Sequence, residues 1–537
     1  MLRQFVILLL LSVSACAAPT PLTPTVTSTA SPAPLATMAP AGATVLPSDF
    51  GQARPTLDPN ITPDTPTPLP TAAPAVTPLA APSMDAALRP QFSQDLAKLE
   101  NATHYVMQWD VSDDLAEIQG RQQIRYVNRA NQALDGIYLR LFANATPDEG
   151  GIEIHQIMVG ERQADITLSQ NDTVAHVAWG KTLEPGQTLE ATIDYTVKIP
   201  QNAKGRYSDF TRTDWLTTLP TIYPLIPAYD DKGWHLEMPP EYGDVVYADS
   251  SVYDVTINAP AEYQIIASGE LVQETRQGNR MMRRLIAAPM RDFDANLTNV
   301  LEKTSAQLDD LTVTSWYKPE NAAQGARALD WAVNALGVYE KRFGPYPFRS
   351  LDLIETPTTA GGIEYPGVVT VASNLYQDAG QTSFFEFATA HEIAHQWFYS
   401  VIGSDQVNHP WLDEALVQYA TTVYFEDRYG LAVAQQIRRD YFERQYEEGK
   451  AQYGNLPAGL PVEAYDEDAY SKFVYGKGAL FFQAVRDQIG DDAFFRALQN
   501  YYREFKYQNA QPRDLVRAFN QASGQDITPL YLAWIGQ

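Results

Sequence analysis

The chain has 537 residues, which is more than one hydrophobic core serves, so two or three domains are expected. It carries 65 acidic against 39 basic residues, a formal net charge of −26. Nucleic acid is excluded as a partner because its phosphates require a basic protein surface.

The N-terminus has the pattern of an export signal. Arg3 provides a positive charge, FVILLLLSV provides a short apolar run, and VSAC provides a small-residue cleavage site. VSAC resembles the lipobox of bacterial lipoproteins, which predicts a signal peptide over residues 1–15 and lipidation of Cys16, the only cysteine. The alternative is an ordinary signal peptide with an incidental cysteine. No later segment has the ~18 apolar residues of a membrane span. We therefore expect a lipid-anchored protein on the bacterial cell surface or in the periplasm.

Residues 16–92 are dominated by proline, threonine and alanine, as in TPDTPTPLPTAAPAVTPLAAP. Such a composition cannot bury enough apolar surface to fold, and proline keeps it extended. The segment is predicted to be a disordered linker between the lipid anchor and a folded body.

Residues 93–304 change to short segments that are rich in β-branched and aromatic residues and mostly alternate between apolar and polar. Examples are HYVMQWDVS, QIRYVNRA, GIYLRLFAN, ATIDYTVKI and SVYDVTINA. Turn residues separate them, which predicts a large antiparallel, sandwich-like β domain. Its expected role is a scaffold.

Residues 305–537 shift toward a helical period. AAQGARALDWAVNALGVYEKRFG predicts one helix that ends near Gly344, and SLDLIETP and GVVTVAS predict strands. SFFEFATAHEIAHQWFYSV, WLDEALVQYATTVYFEDRYG and three later segments predict further helices. The fold class is therefore multidomain, a β domain followed by a mostly helical α+β domain.

The stretch HEIAH places His391 and His395 four residues apart, with Glu392 directly after the first histidine. On a helix, positions i and i+4 share one face, so both imidazoles can reach one ion. Zinc accepts imidazole nitrogens and keeps an open position in catalytic sites. Glu392 emerges beside the ligand face and is predicted to be the general base that activates a water molecule.

A third ligand is predicted at Glu414, nineteen residues beyond His395, in HPWLDEALVQYA. The interval allows the first helix to end, a loop to form and a second helix to return. Asp413 is the rival ligand, and His409 is a weaker one. Gln418, one turn further, has the position to orient Glu414 or to lie on the helix surface.

These motifs resemble the gluzincin metallopeptidases of the alanyl/leucyl aminopeptidase family. HEIAHQWF, the spacing to Glu414 and WLDEAL carry the resemblance, which extends from about residue 93 to the C-terminus. It implies a thermolysin-like catalytic domain with one zinc ion bound by His391, His395 and Glu414. It also implies hydrolysis of peptides at their N-terminus.

GGIEYPG, residues 361–367, resembles the family's Gly-x-Met-Glu-Asn motif. The resemblance implies that Gly361 and Gly362 lie in a substrate-binding edge strand and that Glu364 binds the substrate's free amino group. The sequence departs from the motif because Ile363 stands in place of methionine and Tyr365 in place of asparagine. The change at Tyr365 weakens the case for strict aminopeptidase action.

YGKGALFF resembles the family segment whose tyrosine stabilises the oxyanion, which implies that role for Tyr475; Tyr470 is the nearby alternative. Many family members have a further helical domain that closes over the active site, and this sequence ends at LYLAWIGQ. An open cleft is therefore expected.

A zinc aminopeptidase is the main prediction. The alternatives are a zinc endopeptidase and a peptide-binding surface lipoprotein without catalysis.

Overall fold

The computed structural model describes residues 84–145, 150–204, 209–377 and 382–536. The predicted signal peptide, Cys16 and most of the predicted linker lie outside these residues. The linker was predicted to extend to residue 92, but the chain is already folded before that point. Short 3-10 helices span Met84–Ala86 and Pro90–Leu99. Leu88 is fully buried, and Arg89 forms an ion pair with Glu340 at 2.6 Å, so these contacts place the end of the linker earlier.

The N-terminal domain is built on one eight-stranded sheet. Its strands alternate between buried and exposed side chains, as in His104–Val111, because one face packs on the core and the other faces solvent. All pairs are antiparallel, as predicted, except the parallel pair His104–Val111 with Ser251–Pro260. In spatial order the strands are Glu270–Gln277, Arg280–Met290, Ser251–Pro260, His104–Val111, Glu117–Val127, Thr188–Lys198, Gly151–Val159 and Arg162–Gln163.

Three smaller sheets complete the β domain. The first contains Gln264–Ala267, Asp294–Thr298, Thr217–Pro220 and Thr211–Arg212, the second Ile137–Arg140, Val174–Ala178 and Asp165–Ser169, and the third Tyr229–Asp230 and Gly233–Trp234. The predicted fold class, a β domain followed by a helical domain, is confirmed.

The second domain begins with a five-stranded mixed sheet. Its order is Glu302–Leu308, Leu311–Tyr317, Ser350–Thr356, Val368–Ala372 and Gly362–Ile363. The predicted domain boundary at residue 304 falls inside the first of these strands. Alternation alone identifies a strand but does not indicate which sheet it joins.

Helices form the rest of this domain. Its α-helices are Ala322–Phe343, Ser373–Gln377, Thr382–Ala394, Glu414–Tyr429, Leu431–Ile437, Arg444–Tyr453, Glu467–Tyr470, Ala479–Ile489, Asp491–Phe505, Pro512–Ser523 and Thr528–Trp534. Shorter 3-10 segments are Phe142–Ala145 in the β domain and Pro319–Asn321, Pro410–Leu412 and Val462–Ala464 here, and π-helical turns span Arg438–Glu443 and Ser471–Gly478. In the described part of the chain, every helix is too short or too polar to cross a bilayer.

The segment after the second histidine of HEIAH is not a regular helix. The helix Thr382–Ala394 ends there, and Phe398 and Tyr399 have non-helical backbone angles within Gln396–Val401. The prediction of one helix through this stretch is therefore wrong after residue 394. In this segment the carbonyl of Tyr399 accepts a hydrogen bond at 2.6 Å from Arg291 of the β domain, which is a tertiary contact outside the helix.

Arg291 joins the two domains. Its guanidinium is buried and donates to the carbonyls of Tyr399, Gln508 at 2.7 Å and Ala248 at 3.0 Å, and to the side chain of Asn509. The donors of one side chain thus satisfy carbonyls from the β domain, from the segment after the helix Thr382–Ala394 and from the loop between the helices Asp491–Phe505 and Pro512–Ser523. A buried carbonyl without a donor is destabilising by about 1–3 kcal/mol.

Replacement of Arg291 by methionine is expected to lower the free energy of unfolding by roughly 3–5 kcal/mol, because several buried carbonyls lose their donors together. Urea unfolding followed by circular dichroism measures the change. Arg496→Met is the matched control, since Arg496 is exposed and donates to a single carbonyl, that of Ala522, at 2.8 Å. Equal urea midpoints for the two variants would show that Arg291 does not hold the domains together.

Candidate metal centre and substrate cleft

Three predicted ligands converge in the cleft. His391 lies in the helix Thr382–Ala394, His395 follows its last residue, and Glu414 begins the helix Glu414–Tyr429. The Nε2 atoms of the two histidines are 3.2 Å apart, and Oε2 of Glu414 is 3.2 Å from His391 Nε2 and 3.6 Å from His395 Nε2. All three side chains are buried.

This spacing fits one tetrahedral ion. Zinc bonds of about 2.0–2.2 Å separate neighbouring ligand atoms by about 3.3–3.6 Å. A second group, Glu364, Glu392 and His395, also has its ligand atoms within 4.8 Å of one another. The first group is the better zinc site, because two imidazoles and one carboxylate match the donors that catalytic zinc prefers. His391 Nδ1 is buried and has no hydrogen-bond partner among the described residues, whereas its Nε2 faces the other ligands.

Asp413 supports His395 from the other side of the ring. Its Oδ1 lies 2.7 Å from His395 Nδ1, and Gln406 Nε2 donates to its Oδ2. A carboxylate on Nδ1 fixes the tautomer that presents Nε2 to an ion. Of the two rival ligands, the structure therefore places Glu414 on the Nε2 side and Asp413 on the Nδ1 side.

Glu392 faces the same cleft without joining the first ligand group. Its side chain is buried, and burial raises the pKa of its carboxyl well above the usual value; His395 opposes the rise, while Glu364 and Glu414 add to it. A carboxyl with a raised pKa both accepts and returns a proton near neutral pH. The arrangement suits the predicted general base.

The edge strand Gly362–Ile363 forms the wall opposite Glu392. It pairs antiparallel with Val368–Ala372 and is the last strand of its sheet. A Cβ at position 362 would lie 2.5 Å from Glu392 Cγ and 2.6 Å from the carbonyl oxygen of Thr370, so only glycine fits there. At Gly361 the nearest atom would be 3.8 Å away, so this steric requirement applies to Gly362 alone.

Glu364 follows the edge strand and is buried at the end of the cleft. Gln406 Nε2 donates to its Oε1 at 3.4 Å, and Gln396 Nε2 donates to the carbonyl of Tyr365 at 3.1 Å. Gln396 Oε1 in turn accepts from the backbone N–H of Gly367 at 2.9 Å. Burial raises the pKa of Glu364 to about 7; His395 opposes the rise, and the carboxylates of the site add to it. The segment after the edge strand is thus hydrogen-bonded to Gln396, which directly follows His395 in the chain.

Tyr475 lines the cleft, with its ring centroid 6.1 Å from that of His391. Tyr470 is buried and packs on Tyr475 and on Tyr242. Of the two tyrosines considered for the oxyanion, Tyr475 is the one beside the ligands. The cleft has a volume of about 410 Å³. Gln418 also lines it, and His409 belongs to neither ligand group.

Two contributors were absent from the sequence interpretation. Asp244, from the loop before Ser251–Pro260 of the β domain, lines the cleft together with Glu364 and Glu414. Burial raises the pKa of Asp244 well above its usual value, and the carboxylates of Glu364 and Glu414 add to the rise. Gln406 is the second. No local motif marks either residue, because each reaches the site from a loop of irregular structure.

Residues 327–534 match the profile of the peptidase family M1 domain. The chain carries a peptidase family M1 domain. The HEIAH stretch, Glu414, Tyr475 and the segment with Gly362 and Glu364 all lie within the matched residues.

Several relatives of the chain are named aminopeptidases. Leucyl aminopeptidase of Saccharolobus solfataricus is 25% identical over 328 residues, which is 58% of this chain and 39% of that protein. Aminopeptidase M1-A of Oryza sativa is 26% identical over 302 residues, which is 53% of this chain and 34% of that protein. The chain thus spans little more than a third of the length of these relatives.

A solved structure shares the fold. The M1 zinc metallopeptidase of Deinococcus radiodurans superposes with a TM-score of 0.59 at 19% identity, over 81% of this chain and 94% of that one. The described fold, a β domain followed by the M1 domain, is therefore that of a solved zinc metallopeptidase.

Proposed function

We propose that the protein is a zinc-dependent aminopeptidase that removes N-terminal residues from peptides. The observation that carries the proposal is the trio His391 Nε2, His395 Nε2 and Glu414 Oε2, 3.2–3.6 Å apart, with Glu392 and Glu364 in the same cleft. The aminopeptidases among its relatives support it.

Glu392, Tyr475 and Glu364 have separate roles in the proposed reaction. Zinc, when bound, supplies a Lewis acid that lowers the pKa of water and polarises a carbonyl. Glu392 accepts the proton of the attacking water and passes it to the leaving amine. Tyr475 donates a hydrogen bond to the developing oxyanion. Glu364 pairs with the substrate's α-ammonium and so sets the cut one residue from the chain end.

Substrates with a free or blocked N-terminus test this assignment. The wild type is expected to cleave leucine amides with a kcat/KM at least about 100-fold higher than that for the N-acetylated compounds, because a blocked amine has no charge to pair with Glu364. Glu364→Gln is expected to raise KM for the free amine more than it changes kcat.

Two other results with these substrates would indicate a different function. Internal cleavage of acetylated peptides would indicate the endopeptidase. Binding of peptides without cleavage of either set would indicate a catalytically inactive binding protein.

We further propose that the protein is an exported lipoprotein held at a membrane through Cys16, on the cell surface or in the periplasm. The signal-like N-terminus and the VSAC sequence support this location. Detergent phase partitioning of the wild type against Cys16→Ser tests the anchor.

A further inference from the structure

A second cavity adjoins the cleft on the β-domain side. It has a volume of about 100 Å³ and shares three lining residues, Asp244, Ile363 and Glu364, with the cleft. The cavity therefore begins where the proposed function places the substrate's α-ammonium.

The cavity is acidic. Four carboxylates line it, those of Asp209, Asp244, Asp292 and Glu364. Among the lining residues that the structure describes, none is lysine, arginine or histidine. Buried carboxylates favour a positively charged occupant, because a cation offsets the cost of burying their negative charge.

Two of its polar side chains each have one oxygen without a hydrogen-bond donor among the described residues. Asp292 is 0% exposed and Gln406 is 2% exposed, and both line the cavity. Asp292 Oδ2 accepts from Tyr399 Oη at 2.8 Å and from Thr221 Oγ1 at 3.4 Å, but Asp292 Oδ1 and Gln406 Oε1 have no hydrogen-bond donor within the described ranges. These two buried oxygens can therefore accept hydrogen bonds from a group bound in the cavity.

The pKa of Asp292 reflects both its burial and its neighbours. Burial raises the pKa of its carboxyl to about 6, and the hydroxyls of Tyr399 and Thr221 and the charge of Arg291 limit the rise. A cationic donor would gain both a hydrogen bond and a charge interaction at Oδ1, which are stronger in a buried site than in water.

Aromatic and aliphatic groups form the remaining walls. The cavity is lined by four aromatic side chains and one proline: Phe142, Phe210, Tyr365, Tyr399 and Pro220. Such walls suit the methylene stem of a long basic side chain, and aromatic faces also attract a guanidinium or an ammonium. Tyr365, which replaces the asparagine of the family motif, thus becomes part of a side-chain pocket.

We propose that this cavity receives the side chain of the substrate's N-terminal residue and selects arginine or lysine, with Asp292 as the residue that reads the charge. The inference rests on the proposed function, because Glu364 must hold the α-ammonium. The α-ammonium and the side chain leave the same Cα, so an amine at Glu364 places the side chain at the mouth of the cavity. Glu364 and Asp244 then face the α-ammonium, and Asp292 faces the distal cation.

An apolar side chain would fit the aromatic walls but leave Asp292 Oδ1 without a donor. Water can donate to that oxygen but brings no charge. A site with a buried acceptor rejects a substrate that cannot pair with it more strongly than an apolar pocket rejects an extra methylene group. Leucine amides are therefore expected to be cleaved, but less well than arginine amides.

The test compares each basic substrate with a neutral analogue of similar shape. The wild type with zinc is expected to give a kcat/KM for arginine amide at least about tenfold higher than for citrulline amide, its neutral isostere. The kcat/KM for lysine amide is likewise expected to exceed that for norleucine amide. Titration calorimetry of argininamide and citrullinamide provides a binding ratio that does not depend on cleavage. Citrulline equal to or better than arginine in both measurements would overturn the inference.

Asp292→Asn is expected to reduce the ratio of arginine to citrulline by about tenfold, because the amide keeps the shape of the carboxylate but not its charge. Asp352→Asn is the matched control: burial also raises the pKa of Asp352 to about 6, but its carboxylate accepts from Trp316 Nε1 at 2.8 Å outside the cavity. An unchanged ratio in a folded Asp292→Asn protein would contradict the assignment. If no amide is cleaved, leucine included, the proposed function fails, and the calorimetric ratio alone decides the inference.

Discussion

Replacement of Glu392 by glutamine is expected to lower kcat on leucine amide by about 10³-fold, within the range found for general acid–base groups. Glutamine keeps the shape that packs against Gly362, where the backbone leaves no room for a larger group. It removes the only function that the proposed reaction requires of this side chain, the transfer of a proton between water and the leaving amine.

Glu386→Gln is the matched control for that variant. Glu386 lies in the same helix, Thr382–Ala394, is also buried, and accepts hydrogen bonds from the hydroxyls of Tyr424 at 2.6 Å and Tyr429 at 2.7 Å, outside the cleft. Its activity is expected to stay within about threefold of wild type. Zinc content and the thermal midpoint of both variants show that they are folded and loaded. A Glu392→Gln enzyme with more than a tenth of wild-type kcat would rule out this residue as the base.

The ligand trio could be anticipated because it depends on local geometry. The helical spacing of His391 and His395 fixes their common face, and the eighteen intervening residues limit where Glu414 can return. The structure brings all three together. It also separates Glu414 from Asp413, because adjacent residues at the start of a helix point in different directions: Glu414 lies beside His391 Nε2 and Asp413 beside His395 Nδ1.

The residues that complete the site could not be anticipated in the same way. Asp244 and Asp292 belong to the β domain, and their position depends on how that domain packs against the M1 domain. Arg291 illustrates the difficulty: as one arginine among many in the sequence, it gives no signal, yet it binds carbonyls from both domains. The irregular backbone after His395 was missed for the same reason, since that tertiary contact overrides the helical pattern of QWFYS.

The balance of charge in the cleft depends on a cation. Five carboxyl groups lie close enough to shift one another's pKa values, and two imidazoles lie beside them. The carboxyl groups are those of Asp244, Glu364, Glu392, Asp413 and Glu414, and the imidazoles are those of His391 and His395. Burial alone would raise the pKa of Glu414, but the two histidines outweigh it and hold it well below its usual value. A divalent ion at the trio would offset part of the remaining negative charge, so binding of metal is expected to stabilise the fold as well as enable catalysis.

Removal of the metal is therefore expected to abolish hydrolysis and to lower the thermal midpoint by several degrees, and added zinc is expected to restore both. An ion that binds only the folded state stabilises it by about 4 kcal/mol when its free concentration is a thousand times Kd. Differential scanning fluorimetry after treatment with a chelator, with and without zinc, measures the shift, and an amide assay on the same samples measures activity.

Two variants separate the ligands from the base in that experiment. Glu414→Gln lacks one ligand carboxylate, so zinc is expected to leave its midpoint nearly unchanged and to restore no activity. Glu392→Gln keeps all three ligands, so zinc is expected to raise its midpoint as in the wild type while activity stays low. A zinc-induced shift of full size in Glu414→Gln would show that the ion is held elsewhere, and the competing group of Glu364, Glu392 and His395 would then be the site to examine.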